Sequence, residues 1–306
     1  MAKERIPKFI IGTGAKNTRV EYEDGTSDLI PNKKVPKDLP FKARDGSVTE
    51  AHVPRERLTV HQRYDYMKRL MVMVLEDVNP SVLITGGPGT GKTYELRKIL
   101  DEKNKKEIPP LKVDEDGRVI DPDKDKKPHE RGDYIIIKGH SSAFGLFRIL
   151  HDYRHCTIIF DDCDSVFKCD ISTNLLKGAL DSYDTRTVAW MTPSAERAGL
   201  ESVFEFKGRI IFISNLRQSK IDPAVLSRSF VTDISLNREE FLDRMTQMLP
   251  HVLPEEKTSL KEEVLIYLRE VADNFNDFNM RTLVKAIRIR KSCKGDDWKD
   301  MIRALA

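Results

Sequence analysis

The chain has 306 residues, of which 39% are hydrophobic and 33% charged, and its formal net charge is +3. That length accommodates a substantial core, enough for one large domain and a smaller one. No apolar run approaches the ~20 residues that span a bilayer, which argues against a membrane protein, and a charge this near neutrality carries no nucleic-acid footprint by itself.

The first segment, Met1-Ala2-Lys3-Glu4-Arg5-Ile6-Pro7, lacks a hydrophobic signal core, so a cytoplasmic protein is expected. Residues 1–56 read as a β-rich or flexible extension. Phe9-Ile10-Ile11 and Arg19-Val20-Glu21-Tyr22 suit short strands, Asp24-Gly25 suits a turn, and Pro31, Pro36, Pro40 and Pro54 break up the remainder. Gly12-Thr13-Gly14-Ala15-Lys16 lacks the spacing of a phosphate loop and reads as a turn.

From Leu58 to Asp77, Leu58, His61, Tyr64, Met67, Leu70, Met71, Val74 and Leu75 fall at helical spacing. A short apolar strand follows at 81–86. Then comes Gly86-Gly87-Pro88-Gly89-Thr90-Gly91-Lys92-Thr93, which fits G-x-x-x-x-G-K-T and opens a helix running to about Asp101. The glycines let the backbone turn tightly with no Cβ to hold an anion away. Loop N–H groups and the positive helix end then converge on a phosphate. Lys92 supplies a point charge for the β- and γ-phosphates, and the Thr93 hydroxyl suits Mg²⁺.

Residues 102–132 are dense in Lys, Asp, Glu and Pro and read as a solvated insertion with a hairpin around Asp116-Gly117. Further buried strands are predicted at Tyr134–Ile137, Thr157–Phe160, Arg209–Ile213 and Phe230–Ile234, with helices such as Phe144–Tyr153 and Asn174–Tyr183 between them. Strand alternating with helix, and strands apolar along their length, predict an α/β domain over 57–236 whose parallel sheet is covered on both faces. Thr187–Trp190 and Ser202–Phe206 suit a hairpin. After Asn237 the pattern turns helical, with segments at Glu239–Leu249, Glu255–Phe275, Met280–Lys291 and Asp296–Leu305 forming a helical domain over 237–306.

Ile158-Ile159-Phe160-Asp161-Asp162 is an apolar strand ending in two carboxylates. Asp161 can hold a hydrated Mg²⁺ opposite Thr93, and Asp162 can orient or deprotonate an attacking water. The four cysteines are too few for a disulfide framework in a chain this long. Cys156, Cys163 and Cys169 lie near His155, but their spacing is not C-x-x-C, so buried free thiols are preferred to a metal site.

Phosphate loop, paired carboxylates, a strand ending in Ser214-Asn215, Asp222-Pro223-Ala224-Val225-Leu226-Ser227-Arg228 and a terminal helical segment, in this order, resemble an AAA+ ATPase module over residues 58–305. The single module with its large insertion and unusual acidic pair also resembles ATPases encoded by bacterial viruses. The resemblance implies a P-loop NTPase fold: a three-layer αβα sandwich with sheet order 5-1-4-3-2, and a helical lid over ATP and Mg²⁺. It also implies a homo-oligomeric ring, most simply a hexamer. Asn215 matches the first sensor, which positions the lytic water. Arg228 matches the arginine finger aimed at the neighbouring subunit's ATP, with Arg186 and Arg209 as secondary candidates. Arg281 matches the second sensor, reaching the γ-phosphate from its own subunit.

One departure stands out: the second acidic residue is Asp162 where most members carry Glu. Its carboxylate sits about 1 Å or more short of the usual position, a displacement that can cost about 10²-fold in rate. Asp164 is a candidate to assist it. Two functions therefore stay open, an ATP-hydrolysing motor or loader and a nucleotide-dependent switch with little hydrolysis. The substrate stays open too. DNA would meet Lys168, Lys177 and Arg186, and the Ser227-Arg228-Ser229 context resembles clamp-loader and helicase-loader members. A remodelled protein would meet Phe144, which fits equally well as a helix-face residue packing on Phe147 and Leu150.

Overall fold

The alternation of side chains along apolar strands decides how the main core is assembled, because consecutive residues face opposite sides of a sheet. A computed structural model of the chain describes residues 7–13, 17–31, 34–35, 41–42, 48–49, 58–109, 112–113, 119–120, 126–192, 199–293, 295 and 297–305. They fall into two units, Met1–Thr59 and Val60–Ala306.

In the first unit β1 (Pro7–Thr13), β2 (Asn17–Tyr22), β3 (Ser27–Pro31), β4 (Phe41–Lys42) and β5 (Val48–Thr49) form a sheet of order β3-β2-β1-β4-β5. The predicted strands lie inside β1 and β2, while β3, β4 and β5 were not legible. The Asp24-Gly25 turn forms, with Gly25 at φ +79° and the Asp24 carboxylate accepting from the Thr26 N–H. Of the turn expected over Gly12–Lys16, Gly12 and Thr13 belong to the end of β1, which pairs antiparallel with β2. Gly14–Lys16, Pro36, Pro40 and Pro54 lie outside the described residues.

The second unit begins with α1 (Val60–Leu75), β6 (Ser81–Thr85) and α2 (Lys92–Glu102). A small hairpin of β7 (Lys112–Val113) and β8 (Val119–Ile120) precedes α3 (Pro128–Arg131), and the centre of its predicted turn, Asp116-Gly117, lies outside the described residues. Then follow β9 (Tyr134–Lys138), α4 (Ala143–Asp152), β10 (Thr157–Asp161) and α5 (Asp170–Ala179). The hairpin of β11 (Thr187–Ala189) and β12 (Val203–Glu205) leads to β13 (Arg209–Ile213), α6 (Pro223–Ser227) and β14 (Phe230–Asp233). Helices α7 (Arg238–Met248), α8 (Thr258–Val271), α9 (Met280–Ser292) and α10 (Asp297–Arg303) complete it.

Five strands form one all-parallel sheet of order β14-β6-β13-β10-β9. Leu83, Ile158, Phe160, Ile210 and Phe212 face one side, where they pack with Leu146, Phe147 and Leu150 of α4 and Leu176 of α5. Val82, Ile84, Ile159, Ile211 and Ile213 face the other, against Met67 and Met71 of α1 and Leu96 and Leu100 of α2. This two-sided burial explains why these strands read as unbroken apolar runs. The helices after β14 enclose a separate apolar cluster around Met245, Leu268, Leu283 and the fully buried Trp298.

Several expectations need adjustment. Residues 103–109 are not a free-standing charged insertion. The Ile108 N–H donates to the Tyr134 carbonyl at 2.8 Å, Ile108 is buried, and Glu107 bridges the sheet edge at Tyr134. The helix placed at Asn174–Tyr183 instead spans Asp170–Ala179, where Asp170 in the first turn complements the helix dipole. The helix placed at Glu255–Phe275 is shorter, spanning Thr258–Val271 and ending in a 3₁₀ turn at Ala272–Asn274. Among the described residues no helix is long and apolar enough to cross a membrane.

Candidate functional site

Parallel α/β sheets bind ligands outside the carboxyl ends of their strands, and the Gly86–Thr93 loop leaves β6 at that edge. Two glycines explain its shape. At Gly86, with φ +139°, an added Cβ would lie 2.6 Å from the Ile234 carbonyl oxygen. At Gly89, with φ +69°, it would lie 2.5 Å from Asn279 Oδ1, the residue that caps α9. Among the described residues, the backbone N–H groups of Gly89, Thr90, Gly91 and Lys92 have no hydrogen-bond acceptor. They stand at the N-terminus of the eleven-residue α2, where donors and helix dipole together favour an anion.

Lys92 is buried and folds back over the loop, its Nζ donating to the carbonyls of Gly86 and Gly87 at 2.8 Å each. Burial draws its pKa down to about 8, against the opposing pull of Asp162 and Asp161. The Thr93 hydroxyl donates to Asp161 Oδ1 at 2.8 Å. The other oxygen of Asp161 meets Lys138 Nζ at 2.9 Å, a contact the sheet register creates by pairing Asp161 with Lys138 across β10 and β9.

Asp162 follows β10 with φ +56°, a left-handed conformation uncommon outside glycine. Its carboxylate accepts from Asn215 Nδ2 at 2.7 Å, and Asn215 Oδ1 accepts from Lys92 Nζ at 3.1 Å. Burial, and then the neighbouring Asp161 charge, raise the Asp162 pKa above the ordinary carboxylate value. Asp164 is committed elsewhere, accepting from the Ser214 hydroxyl at 2.5 Å.

The loop from Pro88 to Thr93, Asp162 and Asn215 border a cleft of about 360 Å³. The helical segment adds Arg281 and His251 and the apolar Met248, Val252, Leu253, Met280 and Val284 to its lining. Arg281 is exposed at the start of α9, and its charge acts on both Lys92 and Asp162. Arg228 does not line this cleft. It caps the end of α6, its guanidinium donates to the Ala224 carbonyl at 3.1 Å, and its Nε is buried without a partner among the described residues.

The secondary arginine candidates have structural roles. Arg186 is buried, donates to the carbonyls of Ala179 and Gly208, and lies 5.3 Å from the Phe206 ring centre. These bonds leave little of its guanidinium for a partner subunit or DNA. Arg209 donates to the carbonyls of Lys207 and Gly208 and pairs with Asp77. Lys168 is exposed, while Lys177 is half-buried near Asp222. Phe144 is half-buried against Phe147 and Trp190, with ring centres 6.5 and 6.3 Å away, which favours its packing role. Cys156 and Cys163 are buried free thiols, and among the described residues no three His, Cys, Asp or Glu side chains converge as a metal cluster.

Motif spacing did not reveal Lys138, Tyr64, Glu95 or Arg244 as neighbours of the loop. Tyr64 was legible only as a core position of α1. Glu95 and Arg244 carried one signal, a charged residue at a buried helical position, which usually implies a partner.

No protein-family model matches the chain. A protein of Enterobacteria phage T4, described as an uncharacterized 36.7 kDa protein in the nrdC-mobD intergenic region, is 28% identical to it over 242 residues. The match spans 73% of this chain and 67% of the phage protein.

Proposed function

We propose that the Val60–Ala306 unit binds and hydrolyses ATP with Mg²⁺, as an AAA+-type P-loop NTPase assembled into a homo-oligomeric ring, most simply a hexamer. The observation that carries this reading is a set of unpartnered N–H groups at the α2 terminus beside the linked side chains Lys92, Asn215 and Asp162. The parallel sheet of order β14-β6-β13-β10-β9 supports the 5-1-4-3-2 arrangement of that fold, and in this reading the helices after β14, which contribute residues to the cleft lining, act as the lid.

In this mechanism the loop N–H groups and Lys92 bind the phosphates, with Lys92 exchanging its carbonyl partners for phosphate oxygens. The apolar part of the cleft lining accommodates the base. Asp162 accepts the proton of the water that attacks the terminal phosphate, and Asn215 holds the Asp162 carboxylate toward it. Arg281 offers positive charge from the lid, and Arg228 of an adjoining protomer completes the site.

The Thr93 hydroxyl and Asp161 carboxylate fit Mg²⁺, which keeps several waters and needs few protein oxygens. That ion supplies charge neutralisation on the phosphates. Phosphate release assayed at rising protein concentration tests the proposal, and turnover that climbs steeply with concentration is expected. Absence of magnesium-dependent ATP binding would overturn it.

A second reading, a switch that holds ATP and scarcely cleaves it, is favoured by the short Asp162 side chain already engaged by Asn215. Tight binding without phosphate release would select it. The polymer served is proposed as DNA, with a remodelled protein as the alternative; ATPase stimulation by single-stranded DNA that falls with salt distinguishes them.

A further inference from the structure

Side chains of three helices form a linked chain that ends on one carbonyl of the phosphate loop. Tyr64 of α1 is buried, and its hydroxyl donates to the Thr90 carbonyl at 2.5 Å. The guanidinium of Arg244, from α7, lies 3.8 Å from the Tyr64 ring centre, close enough for a strong cation–π contact. Arg244 also pairs with Glu95 of α2, with both side chains buried. Its Nε has no partner among the described residues, and Arg244 lines the cleft. Burial pushes the Tyr64 pKa up to about 12, so the phenol remains a donor throughout the physiological range.

Peptide geometry gives this contact a consequence. In a planar trans peptide the C=O and the following N–H point in opposite directions. A Thr90 carbonyl tied to α1 therefore turns the Gly91 N–H away from α1, and Gly91 lines the cleft whereas no residue of α1 does. The neighbouring peptide is fixed in the same manner, because the Met280 N–H of α9 donates to the Gly89 carbonyl at 3.1 Å and so orients the Thr90 N–H. A buried ion pair such as Arg244–Glu95 adds little net stability over an apolar replacement, yet losing one partner strands the other charge. Its strength lies in fixing geometry.

We propose that Tyr64 is a positioning residue which sets the phosphate-loop peptide for anion binding, and that the Arg244–Glu95 pair ties this setting to the position of the helical segment. The loop is then competent only while α7 stays docked on α1 and α2. Regulation of the site through the helical segment follows, and this inference rests on the nucleotide reading above.

The test compares wild type with Tyr64→Phe, which removes the hydroxyl and keeps the ring for Arg244. A fluorescent N-methylanthraniloyl ATP with magnesium and inorganic tripolyphosphate serve as probes, alongside hydrogen exchange of loop amides in the unliganded protein. Tyr64→Phe is expected to weaken both ligands about 3–10-fold, the effect of one net hydrogen bond, and to speed exchange at residues 89–92 specifically. Glu95→Gln should act in the same direction, and the double variant should lose less than the product of the two single effects.

If Tyr64→Phe folds poorly, Arg244→Lys preserves the charge but not the planar stack and should reproduce the affinity loss. Equal affinity and unchanged loop exchange in Tyr64→Phe overturn the proposal while leaving the nucleotide reading intact. A wild-type protein that binds neither probe removes both.

Discussion

The Asn215 side-chain amide donates to the Asp162 carboxylate at 2.7 Å, joining the end of one strand to the end of its neighbour. Because β10 and β13 run parallel, Asp161 lies beside Ile213, and Asp162 and Asn215 follow one and two residues beyond that pair. The bond restricts where the Asp162 carboxylate can point.

Replacing Asp162 with Asn should lower phosphate release by about 10²–10⁴-fold, the usual contribution of a general base, while fluorescent ATP binding stays within a few-fold of wild type. Asp162→Glu should match or exceed wild type. Unchanged turnover in Asp162→Asn would remove the base assignment.

Lys92 gives a pH dependence of two opposite signs. Its folded pKa of about 8 lies below the ordinary 10.5. Between those values the unfolded chain binds more protons, so folding stability from this group rises with pH across the window. Nucleotide affinity should instead fall as pH rises through about 8, because the phosphates lose their cation. Calorimetric titration and urea denaturation between pH 7 and 9.5 measure the two trends, and Lys92→Arg should flatten both.

Gly89→Ala combines backbone strain with collision. A non-glycine residue held in such a conformation costs about 1–3 kcal/mol, and here the new Cβ also meets the Asn279 side chain. Gly199 has a similar φ of +66°, and a Cβ added there would meet nothing within 4 Å among the described residues, so Gly199→Ala isolates the strain. The urea midpoint should drop further for Gly89→Ala. Equal drops would show that the loop yields easily to α9.

Arg228→Ala should leave nucleotide affinity unchanged and reduce turnover by about 10³–10⁵-fold if the residue acts as a finger in trans. Mixing it with Lys92→Ala should restore part of the activity, since some mixed contacts pair an intact loop with an intact Arg228. No recovery on mixing, with each variant shown to assemble, would place Arg228 in a purely structural role through its bond to Ala224.

Much of this protein was legible along the chain because the signals are local. The Gly86–Thr93 loop needs residues without Cβ in one place, and strands buried on both faces need unbroken apolar runs, so both appear as short patterns. The Asp161–Asp162 pair and the helical character after Asn237 are local for the same reason. In the first unit β4 and β5 were missed because they span two residues each, too few to show any period.

Tertiary structure alone decided which distant groups meet. Lys138 reaches Asp161 only through the parallel register of β9 and β10. Arg186, along the chain a secondary finger candidate and a possible DNA contact, donates to two backbone carbonyls. Tyr64, Glu95 and Arg244 lie on three separate helices and come together only where α7 packs against α1 and α2. A sequence records which residue types a local turn or a buried face requires, because those constraints act over a few bonds. Ion pairs and hydrogen bonds between remote elements depend on how the chain packs, and packing is settled by the whole core at once.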